Sequence, residues 1–190
     1  MLVCEEGVLT ESRDILAYAD RHAPPERRFG PGDPALEHEL DEGYGPDGRL
    51  WMYESLRERR DIAVAYVTPT VPAWERRLFT AAHPAVQWII DRVLDVSAEA
   101  AAEAERAIDA TLDRVAERLS DGRPYLNGER FSATDLTFAA LSAPVVIPPQ
   151  YGVPLPQPDI LPAPMAARVR GWREHPAGAF ALRLFAEERR

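Results

Sequence analysis

Hydrophobic positions along the chain change their spacing after the first ten residues. Leu2–Cys4 and Val8–Thr10 are short apolar or β-branched runs separated by Glu5-Glu6-Gly7. Two such runs joined by three residues ending in glycine predict a small β-hairpin. From Ser12 the apolar positions Ile15, Leu16 and Ala19 take a helical spacing. That helix ends at Pro24-Pro25, because proline lacks an N–H and restricts the residue before it. A two-stranded hairpin is marginal by itself in water, so strand, strand, helix is an arrangement in need of further sheet.

Residues 24–32 hold five proline and glycine breakers among charges and predict a linker between domains. Beyond it nearly everything reads as helix. Asp33 can cap a helix that starts at Pro34. After a break at Gly43–Gly48, a longer helix is predicted from about Pro46 to Tyr66, with Leu50, Trp51, Tyr53, Ile62 and Tyr66 among many Arg and Glu. Val71–Ala81 and Pro84–Leu94 read as two further pieces divided at His83-Pro84. Ser97 caps the most periodic segment. There Ala104, Ile108, Leu112, Val115 and Leu119 form one stripe facing a core, until Asp121-Gly122 ends the helix.

The run Phe131-Ser132-Ala133-Thr134-Asp135-Leu136 carries the most information. Ser132 can accept from the Asp135 amide while the Asp135 carboxylate accepts from the Ser132 amide, a reciprocal capping box worth about 1 kcal/mol. Phe131 and Leu136 occupy the two positions of a hydrophobic staple. The helix that follows is apolar on most faces and is expected to be buried on most faces. Pro144–Pro164 predicts a long loop, and Ala163–Trp172 and Ala177–Glu187 predict closing helices.

Composition narrows the function classes. A chain of 190 residues that is 46% hydrophobic can bury a substantial core. All 22 basic residues are Arg, and the formal charge of −9 opposes binding to a phosphate backbone, so nucleic acid is not an expected partner. The longest uncharged runs, such as Leu136–Ile147, fall short of the roughly 20 residues that span a bilayer. Met1–Glu6 has neither the basic region nor the apolar stretch of a signal peptide. These readings predict a soluble, cytoplasmic protein without membrane association. The single Cys4 sits in a strand with no cation beside it and reads as a small apolar residue rather than a reactive thiol. His22, His38, His83 and His175 show no metal-ligand spacing, so no metal is expected. Gly43–Gly48 is glycine-rich but lacks the Lys-Ser/Thr of a phosphate loop and reads as a turn.

The segment from Ser120 to Leu136, with Arg123-Pro124-Tyr125-Leu126-Asn127-Gly128 leading into Phe131-Ser132 and Asp135, resembles the glutathione S-transferase pattern of a long helix, a Tyr-Leu-x-Gly turn and a capped buried helix. Val8–Ile15 is similar to that family's last thioredoxin-fold strand and following helix, where an acidic residue and a Ser hold the γ-glutamyl end of glutathione. The resemblance implies a mainly α fold. Residues 1–23 would be a β-β-α remnant of a thioredoxin-like domain, 24–32 a linker and 33–190 a C-terminal-like helical bundle.

It also implies glutathione as co-substrate, with Glu11 taking the α-ammonium and Ser12 the carboxylate, and a small hydrophobic electrophile as second partner in a homodimer. A helix start supports the role of Ser12, since its amides and dipole favour an anion. The simpler reading is that Thr10 or Ser12 only caps the helix. Tyr44, Arg49, Trp51 and Tyr53 become candidates for the electrophile cleft, although an aromatic-rich helix is more often plain core. Ser132 and Asp135 are assigned to structure. The family's thiol-activating Tyr, Ser or Cys belongs to a strand-helix-strand segment preceding Met1 in the family pattern, so little or no conjugating activity is expected of residues 1–190. Alternatives are a start site placed downstream of the true one, or a non-catalytic interaction and dimerisation module, for which an exposed strand edge is the motive.

Overall fold

The computed structural model describes residues 1–59, 61–62, 72–94 and 97–189. The first ten residues form a hairpin of β1 (Leu2–Cys4) and β2 (Gly7–Leu9), paired antiparallel with Leu2 opposite Leu9 and Cys4 opposite Gly7. The second strand begins one residue earlier than the hydrophobic run suggests. Gly7 takes φ +111°, which lets Glu5-Glu6 alone make the turn. Helix α1 (Ser12–His22) follows and buries none of its residues fully.

Residues 24–32, expected to be a linker, are hydrogen-bonded to a segment a hundred residues further along the chain. A 3₁₀ turn spans Pro25–Arg27. The Gly30 amide donates to the Phe131 carbonyl at 2.7 Å, and Arg130 donates to the Arg28 carbonyl at 2.7 Å. Helix α2 (Pro34–Glu39) starts on Asp33, whose carboxylate accepts from the Leu36 amide at 3.2 Å.

The chain then departs from expectation. Instead of breaking at Gly43–Gly48, it continues through a π-helical turn, Leu40–Tyr44, into α3 (Gly45–Ser55). These glycines serve close packing rather than a turn. A Cβ on Gly45 would stand 2.8 Å from Leu141 Cδ2, and one on Gly48 would stand 3.0 Å from Pro144 Cγ. Helix α3 ends at Ser55, short of Tyr66, which lies outside the described residues.

Helix α4 (Ala73–Leu94) is a single helix through Pro84. A proline removes one backbone bond, but no terminating residue precedes it here, so the two predicted pieces join. Val71 lies outside the described residues. Trp74 and Trp88 of α4 are exposed.

Helix α5 (Ala98–Arg118) begins on Ser97, whose hydroxyl accepts from the Ala100 amide at 3.1 Å. Its stripe Ala104, Ile108, Leu112 and Val115 is buried, and Gly122 ends the turn beyond it at φ +85°. Helix α6 (Ala133–Leu141) packs against α2, the π-helical turn, the short α7 (Ala143–Val146) and α9 (Pro176–Glu187), while α8 (Ala163–Glu174) packs on α7 and α9. The expected loop from Pro144 therefore starts only after Val146, because Pro144 sits in the first turn of α7, where its missing N–H costs nothing.

Two interactions fix this bundle. At the start of α6 the Asp135 carboxylate, fully buried, accepts from the Ser132 amide at 2.9 Å, the Ser132 hydroxyl and the Leu126 amide at 2.8 Å. On the far side Trp51 of α3 and Trp172 of α8 meet edge to face at 4.5 Å. Their indole N–H groups donate to Glu105 and Asp109 of α5, at 3.1 and 2.8 Å. Arg168 pairs with both carboxylates and lies over the Trp172 ring.

Helix α6 is not buried all round, as its apolar sequence led us to expect. Thr134, Asp135, Phe138 and Ala139 are buried, whereas Ala133, Leu136, Thr137, Ala140 and Leu141 are half-buried or exposed along its other side.

Replacing Asp135 by Ala strands three buried donors, each costing about 1–3 kcal/mol. Urea denaturation is expected to show a loss of about 3 kcal/mol or more on that basis. A loss below about 1 kcal/mol contradicts the capping role. Asp33 supplies a pH test. The Leu36 amide bond, with help from the Arg118 guanidinium, holds its carboxyl below the usual carboxylate range. A depressed folded pKa gives stability that is complete above the unfolded value of about 4 and is lost as pH falls through the folded value. Asp33→Asn keeps the cap but removes the titration, so its stability is expected to fall less steeply below about pH 4 than that of the parent.

Candidate functional site

The open side of α6 is the floor of three cavities. The first, about 600 Å³, lies between α1, the α2 region and α6, and is lined by Ser12, Arg13, Ile15, Glu37, Asp41, Leu136 and Ala140 among others. Glu11 is the N-cap residue of α1, with extended backbone at φ −82° and ψ 136° and no side-chain capping bond. Neither Thr10 nor Ser12 therefore caps this helix. Its first-turn amides have no side-chain partner, and Ser12, exposed in the first helical turn, stands on the cavity wall.

The second cavity, about 300 Å³, lies between α3, the α6–α7 corner and the loop before α8. Gly45, Arg49, Met52, Tyr53 and Leu56 line it from one face of α3, opposite Leu141, Ile147, Tyr151 and Met165. A third, about 370 Å³, holds Phe131, Tyr151, Phe185 and Arg189. Ala140 lines all three, and Leu141 lines the first two.

The four cleft candidates separate by helical phase. Arg49 and Tyr53, four residues apart, share the cavity face. Tyr44 and Trp51 belong to the opposite, core-facing side and are 2% and 3% exposed. Tyr44 stacks on Phe138 and bonds the Ser142 hydroxyl at 3.0 Å, and burial pushes its phenol well above the usual range. It is a structural aromatic, as Trp51 is. Residue type grouped the four together, and the 100° step per residue divides them.

The sequence gives little warning of the wall opposite Arg49. Ile147, 3% exposed, sits at φ +45° and ψ +67°, a left-handed conformation that a β-branched side chain rarely adopts. Pro148 is the one clue, since the residue before a proline is pushed out of the right-handed helix. Arg173 holds the strained corner. Its Nε donates to the Val146 carbonyl at 2.7 Å and its terminal nitrogen to the Ile147 carbonyl and to Gln157 Oε1 at 2.9 Å. Backbone held in this way at a cavity wall is a recurrent feature of ligand sites.

Ser132 and Asp135 are consumed in the capping box, as described, and Cys4 is half-buried in β1. Among the described residues no group of His, Cys, Asp and Glu could hold a metal ion, and no helix is long and apolar enough to cross a membrane.

The chain is a helical bundle around one doubly capped helix, with cavities along that helix's open side. Residues 98–175 match the family model described as glutathione S-transferase, C-terminal domain. No curated protein and no solved structure matches the chain.

Replacing Arg173 by Ala removes three donated hydrogen bonds from a strained corner. A loss of about 2–3 kcal/mol is expected in thermal or urea unfolding, with faster limited proteolysis within 148–162. Unchanged proteolysis would mean that the corner keeps its shape without Arg173.

Proposed function

We propose that the chain is a glutathione S-transferase-like protein. In this reading its first cavity takes glutathione and its second takes a small hydrophobic electrophile, for conjugation or glutathione-dependent reduction. The observation that carries this reading is adjacency. The cavity with Ser12 on its wall and the cavity with Arg49 and Tyr53 on its wall meet at Ala140 and Leu141. A thiol held in one would lie beside an acceptor held in the other, the arrangement that a two-substrate transfer needs.

The α1 start supports the glutathione half. Unspent amides and the Ser12 hydroxyl are donors for a carboxylate at the positive end of the helix dipole, and Glu11 offers an opposite charge to the ammonium. Activation of the thiol needs a group that stabilises the thiolate, the nucleophilic form. We assign that group to none of these residues, so residues 1–190 are proposed to bind glutathione with little turnover. Homodimerisation and a cytoplasmic location belong to the same proposal.

A second reading, a non-catalytic interaction module, draws on the hairpin, where Val3 and Val8 are 71% and 59% exposed. Calorimetric titration separates the two. On the transferase reading, glutathione binds with a Kd between about 1 μM and 1 mM, and Ser12→Ala weakens it about tenfold, the loss of one charge-assisted bond. Absence of heat up to about 10 mM glutathione, where a 1 mM site is nearly saturated, would instead favour the interaction module.

A further inference from the structure

We infer that one face of α4 docks on an anionic lipid surface, with the helix axis in the plane of the membrane and Trp74 and Trp88 in the headgroup layer. The inference uses none of the three cavities and is independent of the transferase reading. It concerns attachment and not crossing, for which no described helix is long and apolar enough. The expectation of no membrane association rested on spanning length, which a helix lying flat does not need.

The first observation is a continuous apolar face. Trp74, Leu78, Trp88 and Ile89 of α4 are 64%, 62%, 67% and 52% exposed, and Ala81 and Ala85 between them are exposed too. Arg77 and Arg92 are exposed on the same side. At the helical step of about 100° per residue these eight positions fall within an arc of about 120°. Glu75, Ala82 and Val86, half-buried, lie outside it. Single apolar residues on a surface need no explanation, whereas a row of two Trp, a Leu and an Ile along six turns of helix marks a docking face.

The second is charge. The chain has 31 acidic residues against 22 basic ones, yet no described side chain on this arc is acidic, and its two charges are both Arg. Lipid phosphates supply the missing sign, and an Arg stem can lie along the apolar face while its head reaches them. Potentials decay over about 8 Å at physiological salt, so a net charge spread over the whole chain counts for less at the bilayer than two guanidiniums in contact with it. The third is the placing of the indoles. Trp74 and Trp88 are 14 residues apart. That is about 21 Å along the axis and about 40° around it, so both rings reach one plane when the helix lies flat. Trp is enriched at the headgroup level, where its ring is buried and its N–H is wet. A second copy of the chain fits the face less well. Pairing it with itself would enclose Arg77 between apolar surfaces with no described carboxylate to meet it, which leaves a charge uncompensated.

The test is co-sedimentation of the full chain with vesicles of phosphatidylcholine alone and of phosphatidylcholine with about one-third phosphatidylglycerol. Binding is expected to be about thirtyfold tighter to the anionic vesicles, roughly fivefold for each Arg, and to weaken as salt is raised. Arg77→Gln with Arg92→Gln is expected to remove that preference. Trp74→Gln with Trp88→Gln is expected to weaken binding to both kinds of vesicle about tenfold or more, because it removes the apolar groups that leave water. All four positions are exposed, so circular dichroism is expected to show the helix content of the parent. Val3→Ser with Val8→Ser, on the exposed face of the hairpin, is expected to change nothing. Orientation is read by brominated lipids, which quench an indole only at close range. The single variants Trp74→Gln and Trp88→Gln each keep one exposed indole of α4, and both are expected to be quenched.

Failure to bind the anionic vesicles overturns the inference, as does binding that survives the loss of both Trp or that the hairpin variant abolishes. Quenching of only one of the two indoles overturns the flat orientation. Self-association by sedimentation equilibrium that is lost with both Trp, in a chain indifferent to vesicles, gives the face to a second copy and overturns the lipid assignment.

Discussion

The Asp135 carboxylate satisfies donors from two stretches of chain at once, and the position of α6 depends on it. Its bonds to the Ser132 amide and hydroxyl fix where the helix starts, and its bond to the Leu126 amide ties that start to the turn after α5. Beside it Thr134 extends the same polar joint to the linker and α2. Its hydroxyl accepts from the Asp33 amide at 2.8 Å and from Asn127 at 2.9 Å, and donates to Glu37 at 2.7 Å. A buried polar cluster with every member partnered specifies one arrangement, because any slip of α6 would strand several groups at once. The cavity floor inherits that precision, since Ala133, Leu136, Thr137 and Ala140 lie on the same short helix.

Local signals were legible wherever one residue answers one backbone need. Ser97, Asp33 and the Ser132–Asp135 pair cap helices where the sequence places them, and the stripe from Ala104 to Val115 faces the core. Signals that depend on a distant partner were not. Gly45 and Gly48 read as a turn until Leu141 and Pro144 are seen against them, and Pro84 read as a break although the helix continues through it. The open side of α6 was hidden for the same reason. An apolar residue that lines a cavity and one that lines a core look alike in a sequence, and only the neighbours decide.

The candidate site shows that limit most clearly. Arg49 and Tyr53 could be grouped with Tyr44 and Trp51 by composition, but their separation follows from helical phase and from what lies across the gap. Ile147 and Arg173, which shape the facing wall, are 26 residues apart in sequence and carry no motif. Ala140 is equally silent. It matters because it is small: a larger side chain there would intrude on three cavities together.

The edge-to-face pair of Trp51 and Trp172 gives this chain an internal optical reporter. The chain has four tryptophans. These two are buried with carboxylates at their indole N–H groups, while Trp74 and Trp88 are 64% and 67% exposed. Emission from the folded protein is therefore a sum of a shielded and a water-relaxed component. The shielded one belongs to the junction of α3, α5 and α8, so light emitted at shorter wavelength follows the integrity of that junction, and external quenchers reach only the remainder.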